Sequence, residues 1–367
     1  MDFDLSEDAK TLREAARRFL AAEAGPAKAR AVMEGDAPHD SALWAKVVEQ
    51  GWPAARVPEA LGGLGLGTDE ACVLAEEVGR SLAPVPLLAT MDAIEALLVA
   101  GTQAQQAAWL PRLASGEAIG VVAWGEGDAK SPALNPSTRL EGGRLTGVKT
   151  PVQDGLSATL AIVTVASADG PAMALVDLAG EGVSRAPVEA LDLVRKSARL
   201  AFAGAPAEPL GEAADWVRLT ERLAVLRAWE ALGTADAAMQ MTLAYAKDRQ
   251  AFGLRIGRYQ AVKHRLADMY IKGELARAHA MHGCWAWGSD APELAQAAAA
   301  ARVASLEALA FAAEESLQLH GGIGFTWEHD CQLYYRRARA ASAQLGSRAH
   351  WADRLVRALE QRNRAAA

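Results

Sequence analysis

Two stretches in the C-terminal third carry residue types suited to holding an anion. In "SLQLHGGIGFTWEHD", Ser316–Asp330, a helical run containing Gln318 closes on the pair Gly321–Gly322. Consecutive glycines reach conformations closed to other residues, so successive N–H groups can converge on one phosphate oxygen. A glycine just past a helix is also an ordinary C-cap, and both uses can hold at once. In "KDRQAFG", Arg249 and Phe252 precede Gly253. A planar guanidinium engages two oxygens of a diphosphate at once; it serves equally well as a cation at a helix C-terminus, with Phe252 in the core. His320 adjoins the glycine pair with no acid spaced to orient it, and His264 reads as a packing or interface residue. Trp44, Trp52, Trp229 and Trp327 read as core or interface anchors.

Helices must position these groups. Up to about Gly116, "EDAKTLREAARRFLAAEA", "DSALWAKVVEQG", "DEACVLAEEVGRSLA" and "TQAQQAAWLPRLASG" repeat apolar residues every three or four positions, as helices with one buried face do. Between Ala118 and about Leu210 the period shortens. "AIGVVAW", "RLEGGRLTGVKTPV", "ATLAIVTVA", "PAMALVDL" and "ARLAFAG" predict a small antiparallel β unit. Four long helical segments follow from Gly211, enough for an up-and-down bundle. The expected architecture is α+β, mainly α: an N-terminal α domain over 1–116, a middle β domain over 117–210 and a C-terminal four-helix bundle over 211–367.

Composition narrows the function. The 38 basic and 45 acidic residues give a net charge of −7, and no basic run is long enough for a nucleic-acid or anionic-membrane footprint. The acidic N-terminus "MDFDLSEDAK" lacks a signal-peptide h-region, and no uninterrupted apolar span of membrane length is read. Cys72, Cys284 and Cys331 are widely spaced and form no CxxC pair, which argues against a disulfide framework and a zinc site and favours a reducing cytoplasm.

The stretch "YAKDRQAFGLRIGRYQAVKHRLADMY" resembles the acyl-CoA dehydrogenase family at its R-x-x-F-G joint between two bundle helices. "VPEALGGLGLG", "EEVGRSLAP", "WLPRLASGE" and "QLHGGIGFTWEHD" resemble further segments of that family in the same order, so the resemblance spans nearly the whole chain. It implies FAD at a subunit interface, an acyl-CoA thioester as substrate, a carboxylate that removes the α-proton while the flavin takes the β-hydride, and electron-transferring flavoprotein as acceptor. By the same resemblance Arg249, Phe252, Gln260, Gln318, Gly321 and Gly322 are flavin contacts that reach across to a neighbouring subunit.

Departures from the family pattern fall in one half of that site. Where the family has T-E-P-x-x-G-S-D along the flavin, Ala123–Ala133 reads "AWGEGDAKSPA". Where it has a tryptophan two residues beyond G-x-K, "GVKTPVQDG" has Pro151, which offers neither an aromatic plane nor an N–H. Gly147 and Lys149 keep the alignment in place. The two positions where family members carry the base hold Leu345, in "QLGSR", and Leu223, on the first long bundle helix.

No nearby acid replaces it. Glu230 lies seven residues after Leu223, about 20° short of two turns and roughly 10 Å further along the axis; it is the weak candidate. Glu221 sits about 200° around the helix, and Glu328 matches an acid without catalytic duty. The expected protein is therefore the non-catalytic chain of a heteromeric acyl-CoA dehydrogenase that completes the FAD site of a base-containing homologue. Some bacterial members that shorten steroid and other bulky side chains are so arranged. The alternatives are a self-sufficient flavoenzyme with a displaced base and a flavin-free scaffold.

Overall fold

The computed structural model describes residues 4–127 and 135–365; most of the departing stretch after Ala123 thus lies outside the described residues. Helices α1 (Glu7–Glu23), α2 (Pro26–Glu34), α3 (Ser41–Glu49), α4 (Thr68–Ser81), α5 (Leu87–Ala100) and α6 (Gln103–Ala114) come first. Strands β1 (Gly120–Ala123), β2 (Arg139–Glu141), β3 (Arg144–Gln153), β4 (Leu160–Ser167), β5 (Gly170–Asp177), β6 (Val183–Val188), β7 (Ser197–Pro206) and β8 (Glu208–Leu210) follow. Then come α7 (Ala213–Asp248), the short strands β9 (Gln250–Ala251) and β10 (Leu254–Arg255), α8 (Gln260–Gly288), α9 (Leu294–His320), α10 (Cys331–Ala341) and α11 (Arg348–Ala365). Polar side chains start several helices: Ser6 accepts from the Ala9 N–H, Asp40 from Leu43, and Thr102 with Gln105 forms a capping box, each satisfying amides that lack a helical partner.

The chain divides into two compact units. One, of residues 28–71 and 84–223, holds all eight strands from β1 to β8. They form two four-stranded sheets, ordered β1-β4-β5-β8 and β2-β3-β7-β6. Val121, Val163 and Val176 from the first sheet share one core with Leu145, Leu200 and Phe202 from the second, as inward-facing residues of packed sheets do. One pairing corrects the expected antiparallel unit: β1 runs parallel to β4. The β3–β7 register slips between Lys149 and Val152, where Pro151 has no N–H to give to a ladder.

The other unit, of residues 1–27, 72–83 and 224–367, contains the C-terminal bundle. Helix α9 packs on α8, α10 and α11. From α7, Trp229 donates to the Ala280 carbonyl of α8 at 3.2 Å and Thr242 to the Ser316 hydroxyl of α9 at 2.9 Å. Helices α4 and α7 touch backbone to backbone at two glycines: a Cβ at Gly79 would stand 2.1 Å from the Glu230 carbonyl oxygen, and one at Gly233 1.8 Å from that of Glu76. The stretch Leu294–Phe325 is long and apolar enough to cross a membrane, contrary to the reading of the sequence. Its packing against three helices accounts for that composition as the core of a bundle.

Candidate functional site

The residues singled out in the sequence meet at one end of the bundle. Arg249 directly follows α7; its N–H continues the helical ladder to the Tyr245 carbonyl at 2.8 Å, and its own carbonyl accepts from Ile256 at 2.8 Å, closing the β9–β10 hairpin. The guanidinium is exposed, and no described residue bonds it. Phe252 and Gly253 form the tip with φ of 51° and 78°, the left-handed pair that a tight hairpin turn needs. Tyr259 braces the tip by donating to the Ala251 carbonyl at 2.9 Å. The Phe252 ring is 98% exposed. That excludes a core role, and a bulky residue held at positive φ marks a conformation imposed by its surroundings. Gln260 opens α8, exposed, after an N-cap with no side-chain bond.

The second cluster sits at the end of α9. Gln318, Gly321 and Gly322 are exposed. Gly321 has φ 62° and ψ −143°, a region essentially restricted to glycine, so the helix end itself requires it. Gly324 is required by packing, since a Cβ there would stand 2.6 Å from the Leu317 carbonyl oxygen. Gly322 is different: its φ is not left-handed, and a Cβ there would meet nothing within 4 Å. Neither backbone nor packing within the chain demands a glycine at 322, which leaves that face open to a close approach from outside.

Tyr245 joins the two clusters and was not picked out from the sequence. Its ring lies 4.3 Å from that of His320 between centroids, and its hydroxyl reaches the His320 carbonyl at 3.4 Å. The last turn of α7, which leads to Arg249, is thereby packed on the residue before Gly321. The one available signal was spacing: Tyr245 precedes Arg249 by four residues, one helical turn.

Neither base position holds a proton acceptor. Leu345 is 2% exposed and its carbonyl accepts from the Trp351 indole at 2.8 Å. Arg302 secures the same loop through the Ala341 and Gln344 carbonyls, both at 2.8 Å; burial pulls its guanidinium down to about 10. Leu223 is likewise buried. Glu230 has both oxygens committed, to Arg227 at 2.9 Å and Arg337 at 3.5 Å, in a buried cluster of this unit. That arrangement makes it part of the bundle core, and its candidacy as a displaced base loses its footing. Glu328 is exposed.

In the β unit, the two residues that anchored the alignment are structural. A Cβ at Gly147 would stand 2.6 Å from the Thr138 hydroxyl. Lys149 is fully buried, bonding Glu126 at 2.5 Å and Thr164 at 2.8 Å. Burial pushes the Glu126 carboxyl up, but hydrogen bonds from Lys149, Ser137 and Thr138 outweigh it and hold it at about 2. Pro151 is exposed on β3. Trp44, Trp52 and Trp229 are core, whereas Trp327 is 44% exposed.

The geometry of the bundle end therefore suits a diphosphate: the exposed Arg249 guanidinium, an exposed aromatic face and an open glycine. Known proteins resemble the chain over nearly its whole length. Residues 6–117 match the family described as acyl-CoA dehydrogenase, N-terminal domain, and residues 189–359 match acyl-CoA dehydrogenase, C-terminal domain. The acyl-CoA dehydrogenase IpdE2 of Mycobacterium tuberculosis is 37% identical over 92% of this chain and 93% of its own length. Among solved structures, a variant of the Tcur3481-Tcur3483 steroid ACAD superposes with a TM-score of 0.90 at 31% identity, over 98% of this chain and 99% of that one. The ChsE4-ChsE5 complex of Mycobacterium tuberculosis superposes with a TM-score of 0.90 at 28% identity, with the same two coverages.

Proposed function

Because the chain belongs to the acyl-CoA dehydrogenase family, we propose that it is the non-catalytic chain of a heteromeric, FAD-dependent acyl-CoA dehydrogenase, completing the flavin site of a base-containing partner. The observation that carries this reading is the asymmetry of the site. The residues a subunit would lend to its neighbour are present and exposed, whereas both base positions are buried leucines. Similarity to two-component structures, one named as a steroid enzyme, supports a heteromer acting on a bulky, steroid-derived acyl-CoA.

Each residue has a definable task. The Arg249 guanidinium would bond diphosphate oxygens in pairs, with Phe252 laid against the adenine end and Gln260 and Gln318 offering amides. Gly321 and Gly322 would allow backbone N–H groups to approach the diphosphate without a side chain between. Bound FAD supplies the hydride acceptor for α,β-desaturation; the α-proton is left to a carboxylate of the partner. The braced hairpin and the Tyr245–His320 contact hold the lent groups in place before assembly, which lowers the ordering cost of binding. Electron-transferring flavoprotein is the acceptor expected of such an enzyme.

The reading is tested by purification with and without a base-containing homologue from the same genome. Alone, the chain is expected to be colourless and inactive; co-expressed, it is expected to yield a yellow heteromer that desaturates a steroid side-chain CoA thioester. A yellow, active homomer would refute it.

A further inference from the structure

Three ligating side chains converge beside the glycine turn, and the proposed flavin role, which uses only the ring face and carbonyl of His320, employs none of their ligating atoms. His320 ends α9, His329 precedes α10 and Cys331 begins it; one ligating atom of each lies within 4.8 Å of the others. His320 and Cys331 are buried and His329 is half-buried. The two rings lie 4.5 Å apart between centroids, tilted by 51°.

We propose that His320, His329 and Cys331 form a three-ligand site for a divalent transition metal of the zinc type. Imidazole nitrogen and thiolate sulfur are the donors such an ion selects. Zinc bonds of about 2.0–2.1 Å to nitrogen and 2.3 Å to sulfur put ligand atoms roughly 3.5 Å apart, so the observed spacing closes with side-chain movement of about an ångström. The surroundings already resemble those of a metal site. His320 Nδ1 lies 2.7 Å from the Ser316 carbonyl; donation there leaves Nε2 as the ligand, in the arrangement ligating histidines adopt. The Ser316 hydroxyl, itself held by Thr242 at 2.9 Å, lies 3.4 Å from Cys331 Sγ and can donate to a thiolate. The Cys331 N–H donates to His329 Nδ1 at 3.2 Å, which folds the two later ligands into one tight turn; metal coordination gives up that long bond, because Nδ1 then either ligates the ion or carries the ring proton.

Binding forms one metal–sulfur bond and two metal–nitrogen bonds, and the thiol proton leaves to solvent. The fourth position remains for water. The ligands bracket the segment 321–328, so the ion clips together the two ends of the turn that carries Gly321–Gly322 and the exposed Ile323, Phe325 and Trp327. Its role is to fix the shape of that turn. No zinc motif is legible in the sequence because the spacing, His-x8-His-x-Cys, straddles the turn instead of lying along one loop.

Cobalt(II) provides the test, added to chelator-treated full-length chain. The site predicts one tightly bound equivalent, visible d–d bands of a four-coordinate ion and a near-ultraviolet thiolate-to-cobalt band. Cys331→Ser abolishes the thiolate band, and the half-buried His329→Gln weakens binding at least about tenfold while circular dichroism reports an intact fold. His264→Ala, on exposed α8 surface, leaves binding unchanged. Absence of a stoichiometric site, a thiolate band that survives in Cys331→Ser, or equal binding by all variants overturns the proposal.

Discussion

At the scale of single residues, a glycine's context decides what it means. Gly321 and Gly322 look alike in the sequence, yet only the first is required by the fold of this chain. Gly321→Ala is expected to cost about 1–3 kcal/mol through backbone strain, read from denaturant unfolding. Gly322→Ala is expected to leave stability within about 0.5 kcal/mol but lower the flavin content of the assembled heteromer; unchanged flavin would return Gly322 to a passive place in the turn. Arg249 was legible from its motif, and so were the leucines at both base positions. The fate of Glu230 was not, because Arg337 is distant in sequence and only folding brings it to that carboxylate. Glu126 shows the same limit, and it has a measurable consequence. Its carboxyl is held at about 2 against an ordinary 4.5, so the stability it contributes is present above pH 4.5 and is lost as pH falls toward 2. The stability difference between wild type and Glu126→Gln should therefore shrink as pH is lowered through that window, as measured by unfolding at a series of pH values.

At the scale of elements, most amphipathic helices and alternating strands were legible in the sequence, and two of the exceptions have opposite causes. Helix α5 was missed because ten residues from Leu87 to Ala96 are all buried, which erases the wet face that periodicity depends on. It tolerates Glu95 because Arg56 and Arg222 pair with it at 2.9 and 3.4 Å. Strand β6 was missed for the opposite reason: it is largely exposed and includes Pro187, a residue sheets admit at edges, and it is the edge beyond β7. The α4–α7 crossing was also hidden, because Gly79 and Gly233 carry no sign of their partner in their own neighbourhoods. Gly233→Ala forces a Cβ onto the Glu76 carbonyl and is expected to destabilise by at least about 1–3 kcal/mol. A melting temperature equal to wild type would mean the two helices can part without cost.

At the scale of the whole molecule, the order of α, β and α segments and the family are legible from the sequence alone. A pattern of matches to and departures from the family motifs was legible in the sequence; the structure adds that Arg249, Phe252, Gln260, Gln318, Gly321 and Gly322 are exposed and that Tyr259 braces the hairpin tip. The central claim is that these groups serve a flavin that reacts in another subunit. It is tested most directly by the flavin-to-protein ratio of a heteromer carrying Arg249→Ala in this chain only, measured on assembled complex. The account predicts a marked fall in bound FAD with assembly intact. Full flavin occupancy in that variant would contradict it and leave the chain as a scaffold.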